Sequence, residues 1–243
     1  MEDAPTGADV VAAPAKLTVS LRITGVRPDG FHLIDAEMVS LDLADSLAFS
    51  AGDGLEVAVA GTGLAVPADD ENLVRRALAA VGRRAHVRLA KRIPAGGGLG
   101  GGSADAAAVL RWAGIDDVAL AASLGADVPF CLRGGRARVT GIGEVLEPLP
   151  FVEATYTLAV PPFGCPTPAV YREWDALGGP TGTGPNDLEP AALAVEPRLA
   201  AWRDRLAAAT GEVPVLAGSG STWFVPGAHP GPDRLVVRTT PPR

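Results

Sequence analysis

The sequence predicts an α+β protein of two domains, residues 1–150 and 151–243, with the boundary near Pro150. Two observations carry this expectation. Lys16 to Thr24 alternates polar and apolar residues and leads into Arg27-Pro-Asp-Gly30, a turn sequence that sends the chain back antiparallel. Further strands and helical stripes then follow in mixed order, without the regular βαβ repeat of a doubly wound parallel sheet. With 243 residues, 47% hydrophobic and 20% charged, the chain can bury a sizeable core.

The elements follow in order. In the first strand Leu17, Val19, Leu21 and Ile23 form one face and Lys16, Thr18, Ser20 and Arg22 the other. Its partner runs through Phe31–Leu43, and Gly54–Ala60 alternates as a shorter strand. Asp69 or Asp70 caps a helix to Val81, whose stripe is Leu73, Ala77, Leu78 and Val81; Gly82 closes it. Ala85–Ile93 is an alternating strand, and Ser103 caps an alanine-rich helix toward Trp112. A short helix spans Asp117–Leu124 and stops at Gly125, leaving Asp127-Val-Pro129 in a loop. Strands are expected at 136–140, 145–149 and 155–160, and helices near 168–177, 187–193 and 197–209. Gly178–Pro185 reads as a loop, and a strand–loop–strand surrounds Gly218-Ser-Gly-Ser221.

Composition removes several function classes. No apolar run reaches the roughly 18–20 residues that span a bilayer, and the acidic, polar start does not read as a signal peptide. Cys131 and Cys165 are too few for a disulfide framework and lack metal-ligand spacing, so they read as bystanders. A net charge of −7 opposes non-specific nucleic-acid binding. Of 21 cationic residues only Lys16 and Lys91 are lysine; Asn72 and Asn186 are the only asparagines and glutamine is absent. In a chain that uses Arg as its generic cation, the few Lys and Asn residues are the ones whose chemistry is required.

Gly96-Gly-Gly-Leu-Gly-Gly-Gly102 lies between a strand and a helix. Backbone N–H groups free of Cβ atoms, delivered to a helix N-terminus, make a cradle for phosphate. There is no GK[ST], which excludes a Walker A loop. Gly96, Gly98 and Gly101 satisfy GxGxxG, yet the preceding strand alternates polar and apolar residues instead of reading as a buried parallel strand. A dinucleotide-dependent oxidoreductase is therefore a remote reading.

The motifs Pro14-Ala-Lys16, Pro28-Asp-Gly-Phe-His32, Asn72-Leu73, Pro94 through Ser103, and Leu124-Gly-Ala-Asp-Val-Pro129 resemble the 4-diphosphocytidyl-2-C-methyl-D-erythritol kinases of the galactokinase/homoserine/mevalonate/phosphomevalonate (GHMP) superfamily. Gly141-Ile-Gly-Glu144, Pro166 through Tyr171, Asn186-Asp-Leu188 and Gly218 through Ser221 extend the resemblance to about residue 225. It implies a ribosomal-protein-S5-like N-terminal domain and a ferredoxin-like C-terminal one. It also implies ATP-dependent phosphorylation of the tertiary 2-hydroxyl of diphosphocytidyl-methylerythritol, in non-mevalonate isoprenoid synthesis. The enzyme so implied is cytoplasmic, a monomer or weak homodimer, and works on small molecules with no nucleic acid or membrane.

By the same resemblance Asp127 is the general base and Lys16 its electrostatic partner. Asn72, Lys91, Pro94, Gly96, Gly97, Gly98, Leu99, Gly100, Gly101, Gly102 and Ser103 form the ATP side, with Ser103 helping to hold Mg²⁺. Thr18, Phe31, His32, Asp127, Thr167 and Tyr171 form the acceptor side. Thr18 stands where the family usually has Asn, and Phe31 where it usually has Tyr. The chain is also short for the family, with residues missing beside the motifs. Another GHMP-type kinase with a different acceptor, and a lapsed kinase that only binds nucleotide, remain open alternatives.

Overall fold

A computed structural model describes residues 9–59, 66–181 and 184–243. Ala60 of the third expected strand, and Gly182 and Thr183 of the expected Gly/Pro loop, lie outside them. The hairpin forms around the expected turn, where Gly30 has a positive φ of 84° and its N–H donates to the Arg27 carbonyl at 2.9 Å. Its strands are much longer than the alternation indicated: β1 runs Asp9–Val26 and β2 His32–Ser50. Register shifts at Pro14/Lys16, Thr18/Ser20 and Ile23/Gly25 break the strict two-residue period.

β2 organises the first sheet. It pairs along its length with β1, and along its other edge with β4 (His86–Lys91) near one end and β5 (Arg136–Gly141) near the other, all antiparallel. β3 (Gly54–Val59) joins β4 in parallel and β6 (Val145–Pro148) extends β5. Helix α2 (Gly101–Trp112) packs on β1, with α1 (Leu73–Ala80) and α4 (Val128–Arg133) at its flanks and α3 (Val118–Leu124) beside them. Ala104, Ala106, Ala107 and Ala108 of α2 are fully buried, and their small side chains allow this helix to be enclosed on several sides.

Three local expectations are corrected. The cap of α1 is Asn72, whose side-chain oxygen accepts from the Val74 N–H at 2.9 Å, in place of Asp69 or Asp70. α2 starts at Gly101 behind Gly100 in the left-handed conformation, so Ser103 lies inside the first turn and caps nothing. Asp127 sits at the start of α4 and not in an extended loop; Pro129 within the first turn suits a helix start.

The second sheet is antiparallel, in the order β10 (Arg234–Arg238), β7 (Thr155–Ala159), β9 (Trp223–Pro226), β8 (Val215–Leu216). Numbered within this half, the order is 4-1-3-2, that of a ferredoxin-like sheet. α5 (Thr167–Ala176), α6 (Glu189–Val195) and α7 (Leu199–Thr210) lie between β7 and β8. The sheets divide between Pro148 and Thr155, but the hydrophobic cores do not: Leu158, Phe224 and Val237 share one buried cluster with Leu17 and Leu41. The C-terminal residues return to the first sheet, where the Thr240 N–H donates to the Ser40 carbonyl at 2.9 Å.

Candidate active site

The glycine run occupies the turn from β4 into α2 and is fixed on two sides. From below, the Lys16 N–H donates to the Leu99 carbonyl at 3.0 Å, while the Leu99 side chain is buried in the core. From above, the Thr222 N–H of the β8–β9 loop donates to the Gly97 carbonyl at 3.2 Å. Two glycines are demanded sterically. A Cβ at Gly98 would lie 2.5 Å from the Ala217 carbonyl oxygen, and one at Gly100 would lie 2.7 Å from Lys16 Cγ; both have positive φ. The run opens on a cavity of about 360 Å³ whose walls include Asn72, Lys91, Pro94, Gly96–Gly102 and Asp105. Gly101 and Gly102, the first residues of α2, line this space, and the positive end of a helix suits an anion.

Lys91 reaches this cavity but is not a free cation. Its buried ammonium is bonded to Asp45 and, at 2.7 Å, to Asp105. Asp45 also accepts from the Arg92 and Ile93 N–H groups at 2.5 and 2.8 Å, tying β2 to the start of the loop. Two carboxylates on one ammonium leave an excess of negative charge, and Asp105 Oδ1 has no hydrogen-bond partner. Burial pushes the Asp105 carboxyl up to about 7 against the pull of Lys91, with Asp45 adding to the rise. The sequence reading missed both acids; a single Asp within the run Ala104–Leu110 was the available signal.

A raised carboxyl pKa means the folded state binds a proton that the unfolded state releases earlier. Stability is therefore greatest below the ordinary carboxylate range and falls as pH rises from about 4 to about 7. Asp105→Asn is expected to flatten this slope in urea unfolding and to exceed wild type by roughly 1–3 kcal/mol at pH 8. A variant less stable than wild type at pH 8 with the slope intact would contradict it.

A second cleft, of about 740 Å³, adjoins the first and shares Leu73, Gly96, Gly98 and Gly100–Gly102 with it. On its wall Lys16 Nζ stands 3.3 Å from Asp127 Oδ2 and donates to Thr18 Oγ1 at 3.0 Å. Lys16 and Thr18 are both buried: Gly100 of the glycine loop packs against Lys16, and Gly218 of the β8–β9 loop lies beside both side chains. Asp127 keeps 31% of its side chain exposed, so a ligand in the cleft can reach it. Ser103 lines the same cleft at the start of α2. Among the described residues no group of three or more His, Cys, Asp or Glu could hold a metal ion by itself.

The far wall gathers Phe31, His32, Thr167 and Tyr171, all anticipated from the sequence. The His32 ring centroid lies 4.7 Å from that of Tyr171, and Thr167 Oγ1 is 2.7 Å from Ser219 Oγ. Phe31 stands at the rim, 55% exposed. Burial, with a contribution from the Asp127 charge, pushes the Tyr171 phenol up to about 12, so it stays protonated at neutral pH. Asp175, Arg172 and Ser219 also line this wall and were not anticipated. Cys131 and Cys165 are both buried and free; the Cys131 thiol is pushed up to about 12 by burial, with the Asp127 charge adding to the rise.

Residues 72–135 match the family described as GHMP kinases N terminal domain. A 4-diphosphocytidyl-2-C-methyl-D-erythritol kinase of Cereibacter sphaeroides (strain ATCC 17029 / ATH 2.4.9) is 40% identical, with 87% of each chain covered. The chain belongs to the 4-diphosphocytidyl-2-C-methyl-D-erythritol kinase family. The relative of that name in Paracoccus denitrificans is 39% identical over 88% of this chain and 85% of its own. A crystal structure of a 4-(cytidine 5'-diphospho)-2C-methyl-D-erythritol kinase superposes with a TM-score of 0.73 at 33% identity, covering 96% of this chain and 100% of the other. The homoserine kinase of Cytophaga hutchinsonii, 17% identical with a TM-score of 0.60 over 100% and 97% of the chains, shares the fold. This member of the diphosphocytidyl-methylerythritol kinase family is thus a small-molecule kinase with the GHMP fold, as its motifs indicated. Among its described residues no helix is long and apolar enough to cross a membrane.

Proposed function

We propose that this kinase transfers the γ-phosphoryl group of ATP to the 2-hydroxyl of 4-diphosphocytidyl-2-C-methyl-D-erythritol. The observation that carries the reading is the Lys16–Asp127 pair, standing where an anion cradle and a larger cleft share the residues at the N-terminus of α2. Phosphoryl transfer depends on alignment, charge stabilisation and removal of one proton from the attacking alcohol. Asp127 receives that proton as the hydroxyl oxygen bonds to phosphorus and the bond to the ADP oxygen breaks. Lys16, held by Thr18, stands beside the Asp127 carboxylate and stabilises charge on the group in transit. The N–H groups of Gly97–Ser103 hold the phosphates in line, and Asn72, Lys91 and Pro94 border the nucleotide. Ser103, a hydroxyl lining the same cleft, would help to hold Mg²⁺, which would supply neutralisation of phosphate charge.

The acceptor's cytosine suits the aromatic wall of Phe31 and Tyr171, with His32 and Thr167 supplying polar contacts. We infer a cytoplasmic enzyme, monomeric or weakly dimeric, that engages neither nucleic acid nor membrane, in keeping with a charge of −7. ADP release from Mg·ATP, measured with and without diphosphocytidyl-methylerythritol, tests the proposal. Acceptor-dependent turnover is expected. ATP binding without turnover on this acceptor would retire the substrate assignment in favour of a different acceptor.

A further inference from the structure

Resting on that cytidine reading, we infer that Asp175 is a positioning residue that fixes the proton of His32 on Nε2 and thereby makes the cleft select cytosine over uracil. His32 begins β2, on the wall of the larger cleft, and Asp175 lies near the end of α5. They are 143 residues apart in sequence, yet His32 Nε2 and Asp175 Oδ1 are 2.8 Å apart. The ring is further held by Tyr171, tilted at 38°, and by Trp174, edge-on at 85° with centroids 5.5 Å apart. Only 9% of the His32 side chain is exposed, against 50% of Asp175. The histidine is therefore the immobilised member of the pair, and its orientation is fixed by three residues of one helix.

A carboxylate offers only acceptors, so the bond requires Nε2 to carry the proton. In the neutral ring Nδ1 then presents a lone pair, and among the described residues nothing bonds to it. Which nitrogen of a histidine is protonated is commonly set by the partner of the other nitrogen. An Nδ1 acceptor is matched by the exocyclic amine of cytosine. Uracil carries a carbonyl oxygen at that position, and two lone pairs would oppose each other. A site built around such a hydrogen bond penalises the analogue that leaves its buried polar atom unpaired. Asparagine at 175 no longer holds the proton on Nε2: its carbonyl oxygen can accept from Nε2–H, but its amide can instead donate to Nε2 and leave the proton on Nδ1, so what the cleft presents is no longer fixed.

The experiment compares wild type and Asp175→Asn on diphosphocytidyl-methylerythritol and its uridine-linked counterpart. In parallel, ¹⁵N NMR of the imidazoles at pH 8 is read with the His32 signals assigned by their loss in His32→Ala. Wild type is expected to favour the cytidine acceptor at least tenfold in kcat/KM, with the His32 proton on Nε2. In Asp175→Asn, KM for the cytidine acceptor should rise tenfold or more, kcat should stay within about twofold, and the preference should fall toward unity. The split matters because a merely structural loss would lower the active fraction and hence kcat, without moving the base preference. A variant that keeps the wild-type preference, a wild type that turns over both acceptors equally, or a wild-type His32 protonated on Nδ1 overturns the proposal. If wild type turns over neither acceptor, the substrate reading fails by itself. The imidazole spectra then still decide whether Asp175 sets the tautomer.

Discussion

Asp127→Asn is expected to bind ATP normally and to lose at least a thousandfold in acceptor-dependent ADP release. The substitution keeps size and removes both the proton acceptor and the negative charge. General-base assistance contributes typically 10²–10⁴-fold, and here the same change also leaves Lys16, 3.3 Å away, without its anionic partner. Because the Lys16 side chain is 7% exposed, little water compensates for the lost charge. Lys16→Met should lose activity by a comparable factor, and the double variant should be no worse than either single one, as for groups acting as a unit. Steady-state rates together with ATP affinity measured by calorimetry separate these effects. Residual turnover within tenfold of wild type in Asp127→Asn would remove the base from Asp127 and leave it a bracing role at the start of α4.

What the sequence made legible was local chemistry. Arg27-Pro-Asp-Gly30 could be read as a turn because the residues that make it are adjacent. The glycine run could be read as a cradle because strand, glycines and helix follow without interruption. The family motifs extended this to Lys16 and Asp127, which the fold brings within 3.3 Å. What escaped was pairing at long range. Lys91 invited a nucleotide contact, but its charge is met by Asp45 and Asp105, 46 and 14 residues away, and only the folded sheet and helix reveal the excess carboxylate. Alternation in β1 separated a polar from an apolar face, but a two-residue period cannot say which layer covers each; the glycine loop and the β8–β9 loop cover the polar one at Lys16 and Thr18. β10 was missed because Arg234–Arg238 is short and its main support is hydrogen bonding to β7. Asp175 carried no signal at all until α5 set it against His32.

Gly98→Ala should be the most damaging of the small substitutions in the loop. Its φ of +75° already disfavours any residue with a Cβ, at a strain of about 1–3 kcal/mol. The added carbon would stand 2.5 Å from the Ala217 carbonyl oxygen and 2.7 Å from that of Gly220, both backbone atoms that cannot rotate aside. Relief requires separating the glycine loop from the β8–β9 loop, and that opens the contact through which Thr222 holds Gly97. A total of about 3 kcal/mol or more is expected, lowering Tm by about 6 °C or more for a chain of this size, with ATP affinity falling in step. Gly102→Ala is the control for stability. No positive φ applies there, and its Cβ would meet only Leu73 Cδ1 at 3.4 Å, so its Tm should stay within about 2 °C of wild type. The contrast follows from what each glycine faces. Gly102 faces a side chain that can yield, whereas Gly98 is where the glycine loop and the second sheet's loop approach backbone to backbone. Equal melting of the two variants would mean that this approach is not needed to hold the cradle in shape.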